Sequence, residues 1–191
     1  MKKHLFFVTG NAGKVRSLRN IIKDLGSDIV VEQIKYKYPE IKDDEKIETV
    51  AKLGANYCYK KFGKDVIVTD VGLFIDALKG FPGINTNFVL KKIGVKGLIK
   101  LMKGVRNRKA EFRLALGYDG RKGSKIFFAS VHGKIAEKPV GRRGFGFDPI
   151  FVLDGQKKTF AQDPTLRDKY GPFRICVNKF ITWYEKELAK K

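Results

Sequence analysis

Residues Thr9 to Lys14 join a hydrophobic run to a predicted helix, and their types suit the binding of a phosphate. Gly10 and Gly13 let the backbone approach an anion closely, and the first N–H groups of a helix point toward such a ligand. Lys14 adds a cation in the first turn of that helix. The loop lacks the Gly-Lys-Ser/Thr ending of a P-loop and the third glycine of a dinucleotide fingerprint. The stretch therefore predicts an anion site, with a plain strand-to-helix connector as the alternative.

Three carboxylates stand beside glycine or proline at predicted strand or loop ends, namely Glu40, Asp70 and Asp148. Carboxylates from separate strand ends can converge on one hard cation such as Mg²⁺, which would bridge phosphate oxygens. Aspartate near glycine or proline also commonly closes a turn, so that interpretation stays open for Asp70 and Asp148. The chain has two cysteines and two histidines without ligand spacing, which argues against a Cys/His metal centre.

These residues must be positioned by a predicted alternation of strands and helices. Strands are predicted over 3–8, 28–36, 66–68 and 149–153, and a hairpin over 109–118 and 124–136. Helices are predicted over 14–25, 46–62 and 174–189, and two short ones over 86–102 with a break at Gly94. This order favours a single α/β domain with a mixed sheet over residues 1–191.

The charge balance of the chain, 40 Lys plus Arg against 20 Asp plus Glu, gives a formal net charge of +20 that attracts polyanions. Because the basic residues are dispersed, a solvated surface is favoured, and nucleic acid remains a possible partner that we do not favour. The chain has no apolar run of the roughly 20 residues that span a bilayer, so we expect a soluble cytoplasmic protein without a membrane partner. Cys58 and Cys176 are expected to be small core residues.

Six sequence blocks in a fixed order carry a resemblance that runs nearly end to end. They are Thr9-Gly10-Asn11 with Lys14, Pro39-Glu40-Ile41, Asp70 with Gly72-Leu73, Ala77 to Gly83, Phe145 to Phe151, and Lys158-Thr159-Phe160-Ala161. In these blocks the chain resembles the inosine triphosphate pyrophosphatases, which hydrolyse deaminated purine nucleoside triphosphates. Any one block alone would be weak evidence, whereas six in the right order are specific.

The resemblance implies an elongated mixed sheet in two lobes, flanked by helices, with a central active-site cleft, and a homodimer. It also implies Mg²⁺ near the triphosphate of ITP, XTP or dITP, and a water that attacks the α-phosphorus to release monophosphate and pyrophosphate. The implied roles are phosphate binding by Thr9, Gly10, Asn11 and Lys14, catalysis by Lys14 and Asp70, metal binding by Glu40 and Asp70, base stacking by Phe147, nucleoside contact by Asp148, and a pocket border at Lys158 and Thr159.

Several positions differ from the family pattern, and most lie in the implied site. Family acidic residues are replaced by Ser17, Thr49, Thr69 and Gln162, and a family Ser/Thr by Val71. The Ser-His-Arg triplet that presents donors to the 6-oxo group of the base falls on Pro172-Phe173-Arg174, so only the arginine is kept. Two hypotheses follow: a working Mg²⁺-dependent pyrophosphatase, or a degenerate paralogue that binds nucleotide or nucleic acid without efficient hydrolysis.

Overall fold

The computed structural model describes residues 3–39 and 46–190, which form seven strands and six α-helices. The strands are β1 (Lys3–Val8), β2 (Ile29–Ile34), β3 (Val66–Ile75), β4 (Pro82–Gly83), β5 (Lys109–Gly120), β6 (Gly123–Ile135) and β7 (Phe151–Leu153). The helices are α1 (Ala12–Asp24), α2 (Ile47–Phe62), α3 (Thr86–Lys92), α4 (Gly94–Leu101), α5 (Pro164–Tyr170) and α6 (Pro172–Ala189). None of these helices is long and apolar enough to cross a membrane.

The strands form one sheet in the order β2-β1-β3-β5-β6-β7, with β4 paired to β3. Strand β1 runs parallel to both β2 and β3. The pairs β3·β4 and β6·β7 are antiparallel. Both directions therefore occur in one sheet, and the predicted α/β fold with a mixed sheet is confirmed.

By packing, the chain divides into two compact units. The first unit comprises Met1–Asp70, Leu114–Ala129 and Phe173–Lys191, and the second comprises Val71–Arg113 and Ser130–Pro172. Strands β3, β5 and β6 each contribute residues to both units.

In the first unit, helix α2 packs against the sheet through a buried cluster formed by Val8, Ala55, Cys58, Val66 and Val68. A Cβ built on Gly117 of β5 would lie 2.3 Å from the carbonyl oxygen of Ala51 in α2, so only glycine allows this approach of helix to strand. Both cysteines are free thiols in buried positions, which confirms them as core residues.

The tip of the β5–β6 hairpin is hydrogen-bonded to a buried carboxylate, that of Asp65, which directly precedes β3. Asp65 accepts hydrogen bonds from the Arg121 backbone N–H at 2.9 Å and from Arg121 Nη2 at 3.1 Å. The Tyr184 hydroxyl of α6 donates to Asp65 Oδ2 at 2.8 Å. Burial alone would raise the pKa of Asp65, but these donors outweigh it and lower that pKa. Asp65 thus links the hairpin tip and α6 through a buried carboxylate whose hydrogen bonds are satisfied.

The second unit has an aromatic core in which the rings of Phe112 and Phe151 lie 4.7 Å apart and those of Phe151 and Phe160 lie 5.1 Å apart. The Arg108 side chain, just before β5, donates hydrogen bonds to the backbone carbonyls of Ile135 at 2.6 Å and Ala136 at 2.7 Å, at the end of β6. Within the second unit, these contacts pack the start of β5 and the end of β6 against β7 and the segment that follows it.

Two elements differ from the sequence prediction in ways that concern the site. Strand β3 continues to Ile75, so Asp70 lies within a strand and not after its end at Val68 as predicted, because pairing with β4 at Leu73 and Phe74 extends the strand. Helix α5 was not predicted. The break at Gly94 is confirmed, since α3 ends at Lys92 and α4 starts at Gly94.

Candidate active site

The predicted phosphate loop lies between β1 and α1 in the first unit. The side chains of Thr9 and Asn11 hold its backbone in place through hydrogen bonds. Asn11 is the N-cap of α1, where its Oδ1 accepts from the N–H groups of Gly13 at 2.9 Å and Lys14 at 3.2 Å. Thr9 Oγ1 accepts from the Asn11 N–H at 3.1 Å. Asn11 and Thr9 thus satisfy early backbone donors of the helix and fix the loop conformation.

The same loop is anchored to the neighbouring strand. The Gln33 side chain of β2 donates from Nε2 to the Thr9 carbonyl at 2.8 Å, and the Thr9 N–H donates to the Ile34 carbonyl at 3.0 Å. A Cβ built on Gly10 would meet no atom within 4 Å. The exposed loop therefore has open space over Gly10, where an anion can approach the backbone.

Lys14 points from the first turn of α1 toward β3. Its Nζ donates to Thr69 Oγ1 at 3.1 Å, across 55 residues of sequence. Asp70 follows Thr69 directly and has a buried carboxylate oxygen, Oδ2. The first unit thus brings the predicted phosphate-binding lysine to the residue adjoining the predicted catalytic aspartate. Glu40, the other predicted metal ligand, lies outside the described residues.

Phe173 and Arg174 of the C-terminal triplet also belong to the first unit. Arg174 Nη1 lies 2.7 Å from Asp24 Oδ2 at the end of α1, and forms an ion pair with it. The Phe173 ring stacks on the Phe7 ring of β1, with centroids 6.4 Å apart. Both side chains therefore help attach α6 to the β1–α1 unit. Arg174 and Asp24 are 150 residues apart, and no local sequence pattern predicts their ion pair.

The predicted nucleoside contact, Asp148, lies in the second unit at a turn that begins at Gly144. Its carboxylate is buried, and Oδ2 accepts from the Phe145 N–H at 2.9 Å and from Arg167 Nη1 at 2.7 Å. Burial raises the pKa of Asp148 even though Arg167 and the Phe145 N–H favour the charged form. A Cβ on Gly144, whose φ is +84°, would collide with Asp148 Oδ2 at 2.2 Å, so this turn requires glycine. Asp148 closes its own turn, as the alternative interpretation stated.

The two aromatic residues of this block have opposite exposure. Phe147, the residue implied to stack on the base, is 2% exposed, whereas Phe145 is 54% exposed. The Arg167 guanidinium lies over the Phe145 ring, with its carbon 4.7 Å from the centroid. Sequence reasoning missed Arg167, although Asp163 followed by Pro164 is a typical helix start that could have indicated α5.

The segment carrying Lys158 and Thr159 forms a closed loop in the second unit. Thr159 is buried and donates from Oγ1 to the Val140 carbonyl at 2.7 Å. Its N–H donates to Gln162 Oε1 at 2.9 Å, and the Gln162 N–H returns a bond to Thr159 Oγ1 at 3.1 Å. Gln162 therefore supplies the acceptor that a glutamate would supply there, while Lys158 beside it is exposed.

A family model described as the Ham1 family matches residues 5–182. The chain belongs to the Ham1 family. The predicted resemblance is thereby confirmed over nearly the whole chain.

Two relatives illustrate the extent of the similarity within the Ham1 family. The dITP/XTP pyrophosphatase of Methanopyrus kandleri is 40% identical over 187 residues, which cover 97% of this chain and 98% of that protein. The dITP/XTP pyrophosphatase of Thermococcus kodakarensis is 41% identical over 186 residues, covering 96% and 98% respectively.

Solved Ham1 structures share the fold. The Staphylococcus aureus Ham1 protein superimposes on this chain with a TM-score of 0.82 at 27% identity. The matched region covers 97% of this chain and 100% of the S. aureus chain. A HAM1 protein from Coxiella burnetii gives a TM-score of 0.79 at 20% identity, with 97% and 99% covered. At that lower identity the similarity concerns the fold alone.

Proposed function

We propose that this protein is a Mg²⁺-dependent nucleoside triphosphate pyrophosphatase that hydrolyses ITP, XTP and dITP to the monophosphate and pyrophosphate. The observation that carries this proposal is the hydrogen bond from Lys14 to Thr69, which holds a phosphate-binding cation next to Asp70. The proposal is supported by relatives at 40% and 41% identity that are named dITP/XTP pyrophosphatases.

In this proposal, separate residues of the chain bind the phosphates and orient the attacking water. The triphosphate lies over Gly10, where the backbone is open, and the Lys14 ammonium offsets the negative charge that grows on the phosphate oxygens. Asp70 accepts a hydrogen bond from the attacking water, orients it and takes up the proton that the water releases. The water oxygen bonds to the α-phosphorus as the bond from that phosphorus to the α,β-bridging oxygen breaks. Pyrophosphate leaves with the bonding electron pair.

Mg²⁺ fits the chemistry of the two proposed ligands, Asp70 and Glu40, which carry hard carboxylate oxygens. Mg²⁺ usually takes one or two protein carboxylates and completes its shell with substrate phosphates and water. Asp70 and Glu40 would hold the ion, which when bound supplies charge neutralisation at the phosphates.

The decisive experiment is a pyrophosphate-release assay with ITP, XTP, dITP and the four common triphosphates in Mg²⁺. We expect release from the deaminated purines, loss of release in EDTA, and loss of release in Asp70→Asn. Asp154→Asn, at an exposed aspartate after β7, is the matched control and should keep wild-type activity. Release that survives in Asp70→Asn would contradict the assigned role of Asp70.

A second candidate function, nucleotide binding without efficient hydrolysis, is favoured by two replacements. Thr69 gives Lys14 a hydroxyl partner where the family has a carboxylate, and Phe173 packs on Phe7 where the family has a base-contacting histidine. The same assay separates the two functions. Tight binding of ITP without any pyrophosphate release would favour the second.

We also propose that the enzyme is a cytoplasmic homodimer. Large apolar side chains between β4 and the end of α4 are exposed in the second unit, including Phe88 at 59% and Leu101 at 49%. Such side chains are common at subunit interfaces. Light scattering coupled to gel filtration should give twice the 21.7 kDa chain mass, and a monomer at micromolar concentration would contradict the dimer.

A further inference from the structure

Arg167 and Asp148 form an ion pair that sequence reasoning did not anticipate. Arg167 lies in α5, and its Nη1 is 2.7 Å from Asp148 Oδ2. Its side chain is 24% exposed, against 4% for that of Asp148. The flat guanidinium also covers the Phe145 ring at 4.7 Å. Arg167 is therefore fixed at two points, by a carboxylate and by an aromatic face.

The hydrogen bonds also determine how the Asp148 carboxylate is oriented. Among the described residues, the Phe145 N–H and Arg167 Nη1 both donate to the same oxygen, Oδ2. Two donors on one oxygen fix the plane of the carboxylate and therefore the direction of Oδ1. A buried carboxylate needs such partners, because an unpaired charge in that position is strongly unfavourable.

On the basis of the proposed function, we propose that Arg167 is a positioning residue for the nucleoside. It holds Asp148 so that Oδ1 accepts a hydrogen bond from an O–H or N–H of the deaminated purine nucleoside. Arg167 acts through Asp148 and takes no part in the reaction at phosphorus.

The charged groups around Asp148 give this proposal a pH signature. Arg167 lowers the pKa of Asp148, while burial and the neighbouring Asp168 raise it. Asp168 is itself bonded by Arg167 Nη2 at 3.3 Å and is exposed. Removal of the Arg167 charge raises the pKa of Asp148 further, so Asp148 becomes protonated at a higher pH. The protonated carboxyl group is a poorer hydrogen-bond acceptor for the nucleoside.

The first test compares Arg167→Met with Arg167→Lys, using Lys169→Met on the same helix as the control. For ITP we expect KM to rise roughly ten- to a hundredfold in Arg167→Met, with kcat changed much less. Arg167→Lys keeps the charge and should recover part of the loss, and Lys169→Met should match the wild type. An unchanged KM in Arg167→Met would overturn the proposal.

A second measurement separates positioning from simple stabilisation of the turn. In Arg167→Met, the rise of KM on acidification should begin at a higher pH than in the wild type. A purely structural role would lower the melting temperature and the active fraction without moving that profile, and this result would refute the proposal. In an Asp148→Asn background, Arg167→Met should cause no further rise in KM, because the residues act as one unit. An additive rise would also refute it.

Calorimetric binding of ITP distinguishes failure of this proposal from failure of the proposed function. If the wild type binds ITP but releases no pyrophosphate, the hydrolase is refuted, and the Kd of Arg167→Met still decides the role of Arg167. If the wild type hydrolyses ITP and Arg167→Met binds it equally well, only the role of Arg167 is refuted. A wild type that binds none of the triphosphates refutes both.

Discussion

Lys14 Nζ donates a hydrogen bond to Thr69 Oγ1 at 3.1 Å, which connects the first turn of α1 to the middle of β3. In the family pattern this position is acidic, so the lysine in this chain has a neutral oxygen as the partner at residue 69. A hydroxyl restricts the ammonium position without adding negative charge beside the phosphates. This contact and the loop at Gly10 lead to the first two predictions.

Thr69→Val removes the hydroxyl and keeps the side-chain shape. We expect kcat/KM for ITP to fall about tenfold, since hydrogen bonds to charged groups contribute about 1.5–3 kcal/mol. Thr69→Ser should retain most activity. Steady-state pyrophosphate release measures both variants, and equal kcat/KM in Thr69→Val and the wild type would contradict a role for this bond.

Gly10→Ala should affect nucleotide binding and leave folding intact. The added Cβ would meet no protein atom within 4 Å, so the melting temperature should be maintained. The methyl group would, however, take up space through which the triphosphate approaches the Gly10 backbone. We expect KM for ITP to rise severalfold. Gly13→Ala is the comparison, because its Cβ would lie 3.0 Å from Asn11 Oδ1 and disturb the helix cap. A lower melting temperature in Gly10→Ala than in Gly13→Ala would contradict this assignment.

Asp65→Asn should destabilise the first unit, since it removes the charge that Arg121 and Tyr184 bind. We expect a loss of about 2–4 kcal/mol in the free energy of unfolding, measured with urea. The folded-state pKa of Asp65 is lowered, so its contribution is complete above the unfolded value of about 4 and disappears as pH falls through the folded value. The stability of Asp65→Asn should therefore depend less on pH below about 4 than that of the wild type. Identical acid profiles would contradict the buried-charge interpretation.

Both thiols should resist modification in the folded protein. Burial raises the pKa of Cys58 to about 11 and that of Cys176 to about 12. Because the thiolate is the reactive form, a thiol reagent at pH 8 should label neither residue until the protein is denatured, when both should react. Mass spectrometry of the labelled protein gives the result, and rapid labelling of native Cys58 would show that α2 opens readily.

Phe173→His introduces the side chain that the family has at this position. We expect it to increase the preference for ITP over ATP by about tenfold, since one added polar contact contributes about 1–3 kcal/mol of discrimination. The loss of stacking on Phe7 should reduce the free energy of unfolding by about 0.5–1.5 kcal/mol. Competition between the two triphosphates measures the selectivity. An unchanged ratio would mean that residue 173 does not contact the base in this chain.

The sequence predicted local features better than contacts between distant segments. The β1–loop–α1 unit and the break at Gly94 follow from local patterns, and each is observed. The length of β3 was missed because Asp70 and Gly72 resemble a loop, and the pairing with β4 that extends the strand is not visible in those residues alone. The ion pairs Arg167–Asp148 and Arg174–Asp24 depend on how helices α5 and α6 pack, which no local pattern determines.

The Arg121–Lys122 tip of the hairpin is exposed, a position where epitope tags and reporter domains are ordinarily inserted. Here the Arg121 backbone N–H and guanidinium are both bonded to Asp65, so an insertion would break the bonds that hold the hairpin tip to this buried carboxylate. Lys157, an exposed residue in the loop after β7, is the better place to attach a fluorescent label.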